Sequence, residues 1–392
     1  MTPSAAPRVS TLQRLVERYD ARLFWPMRAG ARVRLEGDAD GPRDVVFEGD
    51  RAFLVAIDGR ADAVLSADPE TWEALVRDVR GGMGAFEAGR LRIRRDLHLG
   101  VGFLAATAPA DDEGPGGLRF AQVPTAAGEL SICEAGDGDP VVMLHGLGAT
   151  KVSLLPTVAA LAGLGHRAIA VDLPGFGDSV KPIRAAYDAR YFARAVVALL
   201  DALGIDRADL VGNSLGGRVA LELGLRLPER VGRLGLLAPS LAWLRDRPWA
   251  PLLRLVAPQL GLLQPAPRPV VERIVRAMVP GGSGEEWAAA GVDEFLRAYL
   301  TPRGRAAFYA TARAIYLEEP HGPDGLWTRL ARLQAPSLFV WGRRDRLVPI
   351  AFRHHVEAAL PAASHLELDC GHVPQLERPA AVHEALAAFL TA

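Results

Sequence analysis

The sequence predicts a two-part α/β chain: an α+β unit over residues 1–107, a linker over 108–117, and a unit over 118–392 built on a mostly parallel sheet with helices on both faces. Three observations predict it. At 392 residues the chain exceeds what one hydrophobic core commonly supports. The passage AATAPADDEGPGGL (105–118) is rich in Pro, Gly and Asp and too poor in large apolar residues to order itself, which marks a linker. The rhythm of apolar residues also differs on its two sides, with strands in succession before it and strands alternating with helix-length amphipathic stretches after it.

In the first unit RVRLE (32–36), DVVFE (44–48), AFLVAID (52–58) and DAVLS (62–66) are short, partly alternating runs bounded by turn residues, which is strand patterning. Asp68 then offers an N-cap, Pro69 suits the first helical position, and Trp72, Leu75, Val76 and Val79 recur on one helix face. GRLRIRRD alternates as a further strand. LHLGVGFLAA closes the unit as an apolar helix, although Gly100 and Gly102 each cost about 1 kcal/mol in a helix interior.

Beyond the linker VVMLH, RAIAVD, ADLVGNS, VGRLGLLAP and APSLFVWG read as strands buried on both faces. The alternation breaks once, from about residue 240 to 333, where a proline-rich passage (Pro248 to Pro269) precedes helical patterns such as Val271, Ile274, Val275 and Met278. In open parallel sheets ligands bind beyond the carboxyl ends of the strands, so an insertion at this edge is expected to be a lid. The residues that directly follow the strands are His145-Gly146-Leu147-Gly148, Asp172 to Gly175, Gly212-Asn213-Ser214-Leu215-Gly216, Gly342 to Asp345, and Cys370-Gly371-His372. Serine, aspartate and histidine thus arrive at one edge in that chain order.

Those residues make 118–392 resemble the α/β-hydrolase family, whose nucleophile elbow reads G-x-S-x-G. The resemblance implies that Ser214 is the nucleophile, that His372 removes and returns its proton, and that Asp345 orients the imidazole. It further implies an oxyanion hole from the backbone N–H groups of Leu147 and Leu215, with His145 and Gly146 structural behind that loop. Gly212 and Gly216 leave room for the sharp bend, and Gly217 lets the helix lie close to the strand. The spacing at 212–217 is not the G-x-G-x-x-G of a dinucleotide fingerprint. Phe176, Asn213 and the lid residue Trp243 are expected to touch substrate, and Trp249, Leu252, Leu253, Leu255, Phe295, Tyr299 and Phe308 to furnish an apolar acyl pocket or lid packing.

A serine at the elbow, where relatives that cleave carbon–halogen bonds or epoxides have aspartate, implies acyl transfer. The leading expectation is a serine hydrolase of carboxylic esters of apolar, lipid or acyl, substrates through an acyl-enzyme. Alternatives within the fold are a carbon–carbon bond hydrolase, which can carry an Asn-Ser pair such as Asn213-Ser214, and an acyltransferase. A lipid carrier that retains the scaffold without turnover is the alternative of another class.

The first unit, on DGRADAVLSADPETWEALVRD and GGMGAFEAGRLRIRRDLHLGVGF, resembles the sterol-carrier-protein type of lipid-binding domain, with strand, capped helix, small-residue turn, strand and closing helix. That resemblance implies a lipid held against Leu97, Leu99, Val101, Phe103 and Leu104, positions that serve equally as an ordinary core. Arg90, Arg92, Arg94 and Arg95 read as a solvated face or as partners of a lipid headgroup, so transient contact with a lipid surface would follow.

The 45 basic and 46 acidic residues balance, which removes the electrostatic case for nucleic acid. Cys133 and Cys370 make no disulfide framework, and His354 and His355 lack metal-ligand spacing, so no metal is expected. The mechanism requires no cofactor. With no apolar leader or bilayer-length apolar run, a cytoplasmic protein is expected.

Overall fold

The computed structural model describes residues 10–78, 82–108, 117–241, 267–270, 272–273 and 285–391. The chain divides into two compact units, Met1–Phe120 with Gly284–Glu294, and Ala121–Ser283 with Phe295–Ala392.

The first unit contains α1 (Thr11–Val16), β1 (Arg32–Glu36), β2 (Arg43–Glu48), β3 (Arg51–Val55), β4 (Ala63–Ala67), α2 (Pro69–Arg77), α3 (Gly82–Glu87), β5 (Leu91–Arg94) and α4 (Leu97–Ala105). Its sheet runs β3-β2-β1-β4-β5, with β1 and β4 parallel and the other neighbours antiparallel. Period-two patterning turns Val33, Leu35, Ala63, Leu65, Leu91 and Ile93 inward, onto Trp72, Leu75 and Phe103. The Asp68 carboxylate accepts the Thr71 N–H at 2.7 Å and so caps α2, as its sequence requires. Asp96 caps α4 through Leu99 N–H at 2.9 Å.

On α4, Leu99, Phe103 and Leu104 are buried in this core and Leu97 and Val101 pack partly buried against it. A Cβ on Gly100 would lie 2.5 Å from Ile93 Cγ2, and one on Gly102 would lie 2.3 Å from the Phe24 ring. The two glycines therefore exchange helix propensity for close approach. The stretch expected as a small-residue turn is helical over Gly82–Glu87, and α1 is an element the strand-dominated pattern did not announce. Val79 lies outside the described residues. The segment Gly284–Glu294, part of the expected lid, clusters with this unit: the Asp293 carboxylate accepts Arg94 Nε and the Arg95 backbone N–H, both at 2.9 Å.

The second unit contains β6 (Arg119–Thr125), whose first two residues are assigned to the first unit, β7 (Gly128–Ala135), β8 (Pro140–Leu144), α5 (Leu155–Gly163), β9 (Arg167–Val171), α6 (Ala189–Ala202), β10 (Ala208–Asn213), α7 (Leu215–Arg226) and β11 (Val231–Leu237). There follow α8 (Glu285–Tyr299), which begins in residues assigned to the first unit, α9 (Pro302–Tyr316), α10 (Leu326–Leu330), β12 (Ser337–Gly342), α11 (Arg353–Ala359), β13 (Ser364–Leu368), α12 (Pro374–Glu377) and α13 (Pro379–Thr391). The sheet order is β13-β12-β11-β10-β8-β9-β7-β6. Neighbours from β13 through β9 are parallel, and β7 joins antiparallel to β9. The apolar runs singled out in the sequence form this parallel body.

Strands β6 and β7 were not foreseen because β7 buries polar residues. Ser131 accepts Gln122 Nε2 at 2.9 Å, and Glu134 is paired with Arg167 at 2.9 Å, so their burial is compensated rather than apolar. Behind the elbow, α7 carries a buried charge cluster: Glu222 meets Arg226 at 2.6 Å, Arg329 at 2.6 Å and Arg218 at 2.9 Å. Burial pushes the Glu222 carboxyl up, but Arg218, Arg329 and Arg226 outweigh it and hold its pKa down at about 2. Of the expected lid, Trp243, Trp249, Leu252, Leu253, Leu255, Val271, Ile274, Val275 and Met278 lie outside the described residues.

Candidate active site

Ser214 sits between β10 and α7 with φ 53° and ψ −113°, a conformation costly for a residue with a side chain. The chain holds it there from both sides. Its N–H donates to Leu237 O at 3.0 Å, while its own carbonyl accepts N–H groups from Arg218 at 3.1 Å and Ser240 at 2.9 Å. A Cβ on Gly216 would lie 2.0 Å from Leu144 O, one on Gly212 would lie 2.3 Å from the Gly216 carbonyl carbon, and one on Gly217 would lie 2.9 Å from Pro239 Cβ. The glycine pattern is therefore a steric requirement of the bend.

The loops after β12 and β13 bring an acid and a base together. A Cβ on Gly342 would lie 2.0 Å from Gly371 O, and Arg344 N–H donates to Cys370 O at 2.9 Å, so the two turns lie backbone to backbone. Asp345, its side chain fully buried, accepts Leu347 N–H at 2.7 Å and Val348 N–H at 2.9 Å on Oδ1. Its Oδ2 lies 2.7 Å from His372 Nδ1. An ionised carboxylate only accepts, so Nδ1 is the protonated nitrogen and Nε2 is left as the basic one.

Asn213 ties this pair to the elbow. Its Nδ2 donates to Leu237 O at 3.0 Å and to the His372 carbonyl at 3.1 Å. The residue beside Ser214 thus grips the backbone of His372. Both bonds engage the amide nitrogen of Asn213 within the protein.

The loop after β8 closes the other side. A Cβ on Gly146 would lie 3.4 Å from Ser214 Cβ, which sets the turn after β8 against the nucleophile. His145 is buried; its Nε2 accepts the Leu173 N–H at 3.0 Å, which leaves Nδ1 to donate to Gly146 O at 2.8 Å. Both ring nitrogens are thus engaged by the backbone. Leu215 opens α7 directly after Ser214, and Leu147 follows Gly146 in the loop after β8.

Above Gly148 lies an aromatic roof from α8 and α9: a Cβ there would come within 2.4 Å of Phe295 and 3.1 Å of Phe308. Phe295 stacks on Tyr299 with centroids 5.0 Å apart and meets Phe308 edge-on at 5.8 Å. Phe176 is 2% exposed and packs against His145 and Phe192, a core setting.

Two neighbouring acids organise rather than react. Asp172 is fully buried, accepting both N–H and Nζ of Lys151 at 2.7 Å and the Asp178 N–H at 2.9 Å. Burial works against its charge, yet Lys151 holds its pKa below the usual carboxylate range. Glu377, on α12, accepts Gly371 N–H at 2.7 Å and Val373 N–H at 3.1 Å. Sequence reasoning passed over Lys151 and Glu377. Nothing in the triad motif specifies them, though an acid five residues beyond the base is within reach of that base's own loop. Burial pushes the Cys370 thiol up to about 12, which leaves it inert. His355 stacks on Trp327 at 4.8 Å. Among the described residues no group of three or more His, Cys, Asp or Glu is arranged to hold a metal, and no helix is long and apolar enough to cross a membrane.

Comparison with known proteins gives the family. Residues 139–379 match the family model described as the alpha/beta hydrolase fold. The chain is 31% identical over 293 residues to a 2-hydroxy-6-oxononadienedioate/2-hydroxy-6-oxononatrienedioate hydrolase from Cupriavidus pinatubonensis, covering 70% of this chain and 96% of that protein. It is 28% identical over 277 residues to a 2-hydroxy-6-oxo-6-phenylhexa-2,4-dienoate hydrolase from Burkholderia cepacia, covering 67% and 91% respectively. Among solved structures, a bacterial membrane phospholipase A described as a virulence factor superposes with a TM-score of 0.59 at 28% identity, covering 70% of this chain and 86% of that one.

Proposed function

The chain belongs to the alpha/beta hydrolase family, and from that premise we propose that it is a serine hydrolase which breaks the carbon–carbon bond beside a ketone. The relatives named above act on 2-hydroxy-6-oxo dienoates. Such compounds carry a ketone, an enol and a carboxylate but no ester, so their hydrolysis has to cut a carbon–carbon bond at the ketone. Water supplies hydroxyl to the acyl fragment and a proton to the departing carbon.

The residues here suit that balance. His372 Nε2 takes the Ser214 proton as the hydroxyl attacks the carbonyl carbon, and the imidazolium, held by Asp345, returns it to the leaving carbon. The N–H groups of Leu147 and Leu215 receive the oxyanion. Water then repeats the attack on the acyl-enzyme. The observation that carries the reading is the 2.7 Å His372–Asp345 contact on a loop whose carbonyl is gripped by the residue next to Ser214.

Ester hydrolysis is the second reading, favoured by the likeness to the phospholipase and by the apolar roof of Phe295, Tyr299 and Phe308. Initial rates on a 2-hydroxy-6-oxo-6-phenylhexa-2,4-dienoate and on p-nitrophenyl butyrate decide between the two. The larger kcat/KM is expected on the dienoate, and Ser214→Ala is expected to remove both activities. Turnover of the ester with the dienoate untouched would reverse the assignment.

For the first unit the proposed role remains that of a sterol-carrier-like lipid holder. Its support is the order of strand, capped helix, strand and closing helix, together with the exposed Trp25, Met27, Phe53 and Ile57. Displacement of a fluorescent fatty acid by unlabelled lipid tests it; no binding by the intact chain would discard it.

A further inference from the structure

Resting on the hydrolase reading, we infer that Glu377 is a positioning residue for His372. Its carboxylate is 3% exposed and both oxygens are spent on one loop: Oε2 accepts Gly371 N–H at 2.7 Å and Oε1 accepts Val373 N–H at 3.1 Å. These are the amides on either side of the base. The peptide joining His372 to Val373 is consequently held at both ends, its carbonyl by Asn213 at 3.1 Å and its N–H by Glu377. One end of that bridge is the nucleophile elbow, and the other is the helix α12 that follows the base.

Asp345 fixes the rotation of the imidazole about its own bonds, and it does nothing to fix the Cα from which the ring hangs. The bridge fixes that Cα, together with the Arg344 N–H bond to Cys370 O. A carboxylate suits it because charge-assisted bonds from backbone N–H groups are short and strong, and because its two oxygens each take one of the two donors. Proton transfer between Ser214 and His372 falls steeply with small displacements, and a shift of about 1 Å can cost on the order of a hundredfold.

The test is Glu377→Gln, which keeps size but turns one acceptor into an N–H that faces another N–H. Active sites are counted with a fluorophosphonate, and kcat and KM are measured per titrated site on the better substrate found above. The expected result is a fall in kcat of roughly 10- to 100-fold with KM within about twofold of wild type. Glu377→Asp, which keeps the charge but reaches only one amide, is expected to recover part of the loss. A role in the scaffold alone would lower the titratable fraction and leave kcat per site unchanged, and that outcome overturns the inference.

Should the glutamine variant not fold, wild-type kcat per site in Glu377→Asp overturns it too, as does loss of fold in both variants. A wild-type chain that neither labels nor turns over would instead strike the hydrolase reading.

Discussion

The two sheets bury carboxylates for different ends. In the first unit Asp44 is fully buried on β2, where Arg34 Nε at 2.8 Å and Arg32 at 3.2 Å reach it from the neighbouring strand. It closes a polar face across a ladder that the backbone already defines, and only one of its bonds, from the Asp58 N–H at 3.2 Å, comes from a loop backbone. In the second unit the buried acids at the sheet's carboxyl edge, Asp172, Asp345 and Glu377, bond to backbone N–H groups of loops. There no ladder exists, and the side chains themselves give the loops their shape. The same residue type stabilises a surface in one place and defines a geometry in the other.

Substitution separates the two uses. The largest effect is expected for Asp345→Asn, which preserves shape but disturbs the imidazole tautomer; a loss of about 10⁴-fold in kcat is expected with the melting temperature little changed. Full activity measured in that variant would mean the edge acids are packing groups after all. Glu222→Gln comes next, and it reports on stability. The Glu222 carboxyl lies near 2 when folded against an ordinary value of 4.5, so it contributes stability that is complete above about 4.5 and lost as pH falls toward 2.

By that shift the contribution is roughly 3 kcal/mol at neutral pH. Urea titrations at neutral and acidic pH are expected to show wild type and variant converging at low pH, and a gap that does not close would remove Glu222 as its source. Smallest is Asp44→Asn, for which a loss of about 1–3 kcal/mol in stability is expected, with no change in kcat or KM. A change in kcat there would erase the contrast between the sheets.

What could be read from the sequence follows the same division. The parallel strands and the elbow were legible because apolar runs and steric glycines leave marks in the residue order, and Ser214, Asp345 and His372 follow their strands directly. Strands β6 and β7 escaped because Ser131 and Glu134 interrupt the apolar pattern, and only tertiary partners reveal why they are buried. Glu377 and Lys151 escaped for a related reason. Their meaning lies in backbone groups, which carry no letter in a sequence. Asn213 was visible, but the letter alone could not show that its amide faces the His372 carbonyl rather than a ligand.

The roof over Gly148 meets the loop after β8 with ring carbons of Phe295 and Phe308. Reshaping those rings alters the volume available to a guest while leaving the serine, imidazole and carboxylate where they stand. The rings stand on α8 and α9 while Ser214, Asp345 and His372 stand on loops after β10, β12 and β13, so an aromatic replacement changes one set of elements without touching the other.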